Sequence, residues 1–312
     1  MRVCVTGGTG FIGRALVRRL LAEGAQVRVL ARPSKRADEL EAQGVEVVRG
    51  DLSDPEAIER VGREAQVVYH TAAKVDPPGT RTEFFETNVR GTERVLQACL
   101  CAGVGRVVYL SSVAVYGLVR EGERIDENTP YDDAPEKRDF YAQSKIAADE
   151  LAVSFAKKTG LPIAIVRPGV VYGPGRPLPA GLLAFRLGKT DVVFGDRYHR
   201  IPLNYIENLI DAIQLVVGLK DAKLRQYIVV DNENLTLGQY HAAKREADGA
   251  RTFFLPGWPV LLASPLTGPP TRQVKRALQD RWYDTRRIRE ETGWAPKVPL
   301  REAIQRTLTT SG

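Results

Sequence analysis

Apolar residues fall into short unbroken runs separated by longer segments of helical spacing, and this alternation continues through the first half of the chain. Val3-Cys4-Val5, Val27-Arg28-Val29-Leu30, Val45-Glu46-Val47-Val48, Val67-Val68-Tyr69-His70, Val107-Val108-Tyr109-Leu110 and Ile163-Ala164-Ile165-Val166 read as strands. Leu16, Val17, Leu20 and Leu21 place a helix that Gly24 ends, and further helices are expected at about 34–43, 54–63, 88–102 and 141–159. Strands without polar alternation, each followed by a helix, predict an α/β fold whose parallel sheet is covered on both faces. Ligands of such sheets bind beyond the carboxyl ends of the strands. The residues that matter most are therefore Arg32, Asp51-Leu52, Thr71-Ala72-Ala73, Ser111-Ser112 and Arg167-Pro168-Gly169.

The alternation breaks at Gly173, where Gly-Pro-Gly-Arg-Pro-Leu-Pro-Ala-Gly begins. A nucleotide-binding domain over 1–172 is expected, with later returns near 205–217 and 227–231, and a smaller lobe over most of 173–312. Within that lobe Phe253 to Leu262 is apolar, proline-broken and too short to span a bilayer. It is expected to be buried under the lobe, the other reading being a lid over a substrate or membrane surface.

The first strand runs directly into Thr6-Gly7-Gly8-Thr9-Gly10-Phe11-Ile12-Gly13 and the first helix. Gly7 permits a tight turn, Gly10 lets the backbone approach a pyrophosphate, and Gly13 lets the helix lie close to the sheet. The helix N-terminus adds free N–H groups and a positive dipole end. Strand, glycine turn, helix and second strand together form the context in which this motif binds a dinucleotide.

Composition narrows the partners. The 312 residues, 43% hydrophobic and 27% charged, are those of an ordinary globule, without repeats or a membrane-spanning run. With a strand starting at Val3 no signal peptide is expected, and three cysteines, Cys4, Cys99 and Cys101, suggest a reducing cytoplasm. The net charge of +7 is spread among acids, which argues against nucleic acid. His70, His199 and His241 lack the spacing of a metal site.

Tyr141 and Lys145 lie one helical turn apart, so both project from one face, and Ser112 follows the fifth strand at the sheet edge that carries the glycine turn. A carbonyl that accepts hydride needs a proton and an alcohol that gives hydride must lose one. Tyrosine, with a pKa of roughly 10, serves near neutrality only if its phenolate is stabilised by about 4 kcal/mol, which a neighbouring ammonium helps to provide. The serine hydroxyl then holds the reacting oxygen.

These residues, with His70-Thr71-Ala72-Ala73, Asn88-Val89-Arg90-Gly91-Thr92, Ser111-Ser112-Val113-Ala114-Val115-Tyr116-Gly117, Tyr141-Ala142-Gln143-Ser144-Lys145 and Ile288 to Pro296, resemble the extended short-chain dehydrogenase/reductase superfamily over nearly the whole chain. The resemblance implies a Rossmann domain with a smaller C-terminal substrate-binding lobe, and Ser112, Tyr141 and Lys145 as catalytic residues. It places a nicotinamide cofactor against Gly7, Gly10, Phe11, Ile12, Gly13, Arg32, Lys35, Asp51, Leu52, Ala72, Ala73, Tyr141, Lys145 and Pro168. A small-molecule substrate is expected against Lys74, Ser112, Val170 and Arg200. Members of this superfamily commonly dimerise through the helices corresponding to 88–102 and 141–159, and a homodimer is expected.

Val113 and Ala114 stand where the 4,6-dehydratases of that superfamily carry an Asp-Glu pair, which argues against elimination chemistry. Val170 stands where UDP-sugar epimerases usually have Asn; Arg200 and Lys74 match their substrate-side cations, but the aspartate expected after the arginine is missing. The Tyr205 to Asn208 spacing is similar to 3β-hydroxysteroid dehydrogenase-like and dihydroflavonol-reductase-like members. The reading is an alcohol dehydrogenase or ketoreductase for an apolar substrate, with Phe253, Phe254 and Trp258 near its pocket. A nucleotide-sugar epimerase is the alternative, and a cofactor-binding sensor the third. After the second strand no acid precedes Asp38, and Arg32 with Ser34 and Lys35 suits a 2′-phosphate, so NADP(H) is expected in preference to NAD(H).

Overall fold

The computed structural model describes residues 1–75, 78–120, 122–179, 183–219, 223–267 and 271–309. Seven strands, β1 (Arg2–Thr6), β2 (Gln26–Ala31), β3 (Glu46–Arg49), β4 (Val67–His70), β5 (Arg106–Leu110), β6 (Ile163–Pro168) and β7 (Leu224–Val229), form one sheet in the order β7-β6-β5-β4-β1-β2-β3. The pairs from β6 across to β3 are parallel. The direction of winding reverses between β1 and β4, so this Rossmann sheet opens a crevice beyond the ends of those two strands.

The intervening helices are α1 (Phe11–Ala22), α2 (Lys35–Ala42), α3 (Pro55–Gly62), α4 (Gly91–Cys101), α5 (Phe140–Thr159) and α6 (Ile206–Val217). Local chemistry marks their starts. Ser34 accepts from the Ala37 N–H at 3.3 Å, and Asp54 from the Ala57 N–H at 3.1 Å with Pro55 in the first turn. The helix expected over 88–102 starts differently: a π-helical turn at Glu86–Arg90 precedes α4. The extra residue per turn re-aims Asn88, which is buried. Cys4, Val68, Leu96, Cys99, Val107 and Ile163 belong to the core between sheet and helices, and the three cysteines are free thiols.

The chain divides into two compact units, one of Met1–Val115, Phe140–Arg167 and Ile210–Tyr227, the other of Tyr116–Asp139, Pro168–Leu209 and Ile228–Gly312. Tyr116–Asp139, which lies inside the expected span 1–172, thus groups with the second unit. In that unit Val170–Tyr172 pairs with Leu203–Tyr205, and a separate sheet joins Ala184–Leu187, Thr190–Phe194 and Arg251–Leu255. Helix α7 (Leu237–Asp248) packs on the separate sheet through His241 against Phe254 and the buried Lys244–Asp191 pair. Trp294 is buried and donates from its indole N–H to the Asn208 carbonyl at 3.1 Å, while the Asn208 side chain accepts from Lys297 and Val298 N–H groups.

The stretch from Phe253 to Leu262 is not buried as expected. It forms a strand ending at Leu255 and then α8 (Trp258–Thr267), with Phe253, Leu255, Trp258 and Leu262 exposed. No helix among the described residues is long and apolar enough to cross a membrane.

Candidate active site

The turn between β1 and α1 is shaped by what it lacks. Gly7 has φ +76°, and a Cβ there would lie 2.7 Å from Ala72 Cα. A Cβ on Gly13 would meet the Gly7 carbonyl oxygen at 2.1 Å, so α1 starts in contact with the turn only because Gly13 has no side chain. Gly10 is exposed, and Phe11 and Ile12 open α1 half-buried. Gly8, absent from the expected set, abuts Val29: a Cβ would be 2.6 Å from its Cγ1. The result is a turn bare of side chains at a helix N-terminus, closed by the Gly10 N–H on the Gly7 carbonyl at 2.9 Å, and Ala72 and Ala73 line the neighbouring end of β4 half-buried.

Arg32 is exposed directly after β2, and Lys35 is the exposed first residue of α2. Asp51, exposed after β3, accepts from the Ser53 hydroxyl at 2.6 Å and the Ser53 N–H at 2.7 Å. Those bonds, with a contribution from the Arg32 charge, hold its carboxyl below the usual range. Leu52 is buried beside Gly91, and Pro168 closes β6 in a buried position.

At the end of β5 the two serines face different surroundings. Ser111 is buried and donates to Asp149, whose carboxylate also takes a two-pronged contact from Arg167 at 3.0 and 2.6 Å. Arg167 continues to Gln226 at 2.6 Å. Ser112 is half-buried, and its oxygen accepts from the Ala114 N–H at 3.1 Å. Helix α5 packs on the short turn Val113–Val115 that follows.

Tyr141 is half-buried in the first turn of α5, with Lys145 one turn further and buried. The Lys145 ammonium donates to the carbonyl oxygen of Leu110, the last residue of β5, at 2.8 Å. Burial pushes its pKa down to about 8, against the pull of Asp149. Lys145 thus links the Tyr141 face of α5 to the strand end that carries Ser112.

Two further polar residues at this edge were not among the expected site residues. Asn88 donates to the Ser144 hydroxyl at 2.8 Å and to the Lys74 carbonyl at 2.9 Å, and accepts from the Lys74 N–H at 2.7 Å. Ser144 in turn donates to the Tyr141 carbonyl at 2.8 Å. The second is His70, fully buried between the Thr6 hydroxyl at 2.7 Å and the Thr92 hydroxyl at 2.9 Å. Thr92 donates its own proton to the Asn88 carbonyl, so it accepts from Nε2–H of His70, and Nδ1 accepts from Thr6. Burial, with the nearby Lys145 charge, pushes the His70 pKa down to about 3. The signal for His70 was in the sequence, a polar residue closing an otherwise apolar strand, whereas Asn88 stands in a mostly polar segment that does not mark it out.

Of the expected substrate-side residues, Lys74 is half-buried, 3.6 Å from Glu83 and over the Phe84 ring. In the second unit Val170 is half-buried in its short strand. Arg200 is engaged: its guanidinium pairs with Asp280, its N–H donates to the same carboxylate at 2.8 Å, and it lies 4.8 Å over the Trp282 ring. Phe253 and Trp258, expected near an apolar pocket, are solvent-exposed instead.

Comparison with known proteins identifies the family and the fold. Residues 3–230 match the model of the NAD dependent epimerase/dehydratase family. A 2-alkyl-3-oxoalkanoate reductase of Stenotrophomonas maltophilia is 30% identical, over 100% of this chain and 99% of the relative. A putative dihydroflavonol 4-reductase of Synechocystis is 33% identical over 96% of this chain and 91% of its own. Among solved structures, the Thermus thermophilus UDP-glucose 4-epimerase complex with NAD superposes with a TM-score of 0.75 at 29% identity, covering 99% of this chain and 98% of that one. The chain belongs to the NAD dependent epimerase/dehydratase family, a family of enzymes.

Proposed function

We propose that the protein is a nicotinamide-dependent ketoreductase or secondary-alcohol dehydrogenase acting on an apolar substrate. The observation that carries this is Lys145: its buried ammonium rests on the carbonyl of Leu110, two residues before Ser112, so Ser112, Tyr141 and Lys145 share one sheet edge with the glycine turn. The turn suits a pyrophosphate, because Gly7 and Gly13 stand where any Cβ would collide with backbone and the exposed Gly10 puts no side chain in the way of the helix N-terminus.

When bound, a nicotinamide supplies or takes the hydride. The proton is the protein's task. Tyr141 holds it at the phenol oxygen and passes it to a ketone, or accepts it from an alcohol. The Lys145 cation favours the phenolate electrostatically, and the Ser112 hydroxyl fixes the substrate oxygen. Asn88, through Ser144, holds the first turn of α5 in place.

Reduction is favoured over epimerisation of a nucleotide sugar by Val170, which offers no polar atom, and by Arg200, whose guanidinium already has Asp280 and Trp282. An anionic diphosphate needs donors that are available. The reductase names of the curated relatives point the same way, and the 2-alkyl-3-oxoalkanoate reductase suggests β-keto acids and their hydroxy acids as first substrates to try. Exposed Arg32 and Lys35 support NADP(H) over NAD(H). In the test, Tyr141→Phe lowers turnover of such substrates by about 10²–10⁴ with cofactor affinity nearly unchanged. Equal turnover in the variant, or UDP binding that Arg200→Ala abolishes, refutes the reading.

A further inference from the structure

The sheet of Ala184–Leu187, Thr190–Phe194 and Arg251–Leu255 has one packed face and one bare face. On the packed face Asp191, Val193 and Phe254 meet α7, where Lys244 and His241 lie. Strand alternation sends the other residues the opposite way. Pairing register then sets Phe185, Val192 and Phe253 in one row, Leu187, Thr190 and Arg251 in the next, and Phe194 beside Leu255. This face is open to solvent: Phe185 is 51% exposed, Leu187 70%, Phe253 60% and Leu255 41%.

Three residues after Leu255 the chain enters α8, which has no charged residue and exposes Trp258 at 64% and Leu262 at 70%. These two are one turn apart on one side of the helix, and the opposite side carries Ser264, which is buried against Thr271. Soluble monomers rarely leave large aromatic and aliphatic side chains clustered in the open without a use for them.

The exposed charges on and beside the face are mainly basic. From Ala250 to Gln279 the sequence holds no acid; of its four cations Arg251 lies on the bare face and Lys275 is exposed, whereas Arg272 is paired with Asp132 and Asp133 and Arg276 donates to the Tyr116 carbonyl. Lys189, in the turn between the first two strands, is exposed, whereas Arg186 stands opposite Asp191 on the packed face, near Asp191 and Asp248. Asp196, just past the strands, is the exposed acid of that segment. Aromatic residues that can sit at headgroup depth, flanked by cations, match an anionic lipid surface. A second copy of the chain seated on the same face would instead set cations against cations.

We infer that this sheet face, together with Trp258 and Leu262 of α8, docks the protein on the surface of an anionic lipid bilayer. The binding is interfacial: the apolar side chains enter the headgroup boundary while the cations meet lipid phosphates. It does not depend on which substrate the enzyme takes.

The full chain is sedimented with vesicles of phosphatidylcholine alone and of equimolar phosphatidylcholine and phosphatidylglycerol. Wild type is expected to pellet with the mixed vesicles, less so with neutral ones, and progressively less as salt rises from about 0.1 M to about 0.5 M. Phe253→Ser combined with Trp258→Ser weakens vesicle binding by at least about tenfold for each aromatic removed. Lys189→Glu with Arg251→Glu, both at exposed positions, abolishes the preference for anionic vesicles while the thermal midpoint stays near wild type. The inference is overturned if wild type remains in the supernatant with mixed vesicles, or if neither double variant changes pelleting. It is also overturned if the aromatic variant converts a dimer to a monomer in sedimentation equilibrium, which would assign the face to a second copy.

Discussion

Replacing Ser111 or Ser112 by alanine separates a structural from a chemical hydroxyl at adjacent positions. Ser111 donates to a carboxylate buried with Arg167, and a hydrogen bond to a charged group contributes roughly 1.5–3 kcal/mol. Asp149 keeps both prongs of Arg167 in Ser111→Ala, so no charge is left bare, and the expected loss of stability is about 2 kcal/mol. Ser112 accepts a neutral bond from the Ala114 N–H, with a stability contribution near ~1 kcal/mol. If its hydroxyl holds the reacting oxygen, removing it lowers kcat by about 10²–10³, the range seen for a lost transition-state donor. Urea midpoints and kcat at saturating NADPH give the two readouts. The expected pattern is crossed: Ser111→Ala less stable with turnover within about tenfold of wild type, Ser112→Ala as stable within roughly 1 kcal/mol and nearly inactive. An inactive, fully stable Ser111→Ala beside an active Ser112→Ala would move the chemistry one residue back and refute the assignment.

Three further expectations follow from the same edge of the sheet. Arg32→Asp should lower kcat/KM for NADPH by at least about tenfold and raise it for NADH; equal values for the two cofactors in wild type would show that Arg32 and Lys35 read no phosphate. His70, held neutral in the fold with a pKa of about 3 against 6.5, binds its proton only on unfolding between those values. Stability should therefore fall with acidification below pH 6.5, by up to about 1.4 kcal/mol per pH unit. Asp231, buried and raised to about 6, acts in the opposite sense below that pH, so the measurement is the difference in urea midpoint slope between wild type and His70→Asn; identical slopes would exclude His70. We also expect a homodimer through α4 and α5, and a monomer mass by sedimentation at micromolar concentration would remove it.

The sequence by itself determined the sheet and its glycine turn. A parallel strand covered on both faces must be apolar throughout, so β1, β4, β5 and β6 carry their burial in their composition. Gly7 and Gly13 are visible for a similar reason, since the collisions that forbid a side chain there arise within the local strand–turn–helix unit and the strand beside it. Tyr141 and Lys145 need only the helical repeat to share a face.

What the tertiary structure decided concerns residues whose partners are distant in the chain. Ser111 and Ser112 are chemically identical, and the distinction rests on Asp149 and Arg167, brought to the strand end by α5 and β6. Arg200 reads as a free anion-binding cation until Asp280, eighty residues on, is found on its guanidinium. His70 and Asn88 show their use only when Thr6, Thr92, Ser144 and Lys74 converge on them. The run from Phe253 to Leu262 is apolar enough for a core, yet it stays open because α7 covers only the opposite face of its sheet. Hydrophobic pattern specifies that a segment can be buried; which surface covers it depends on elements the segment does not encode.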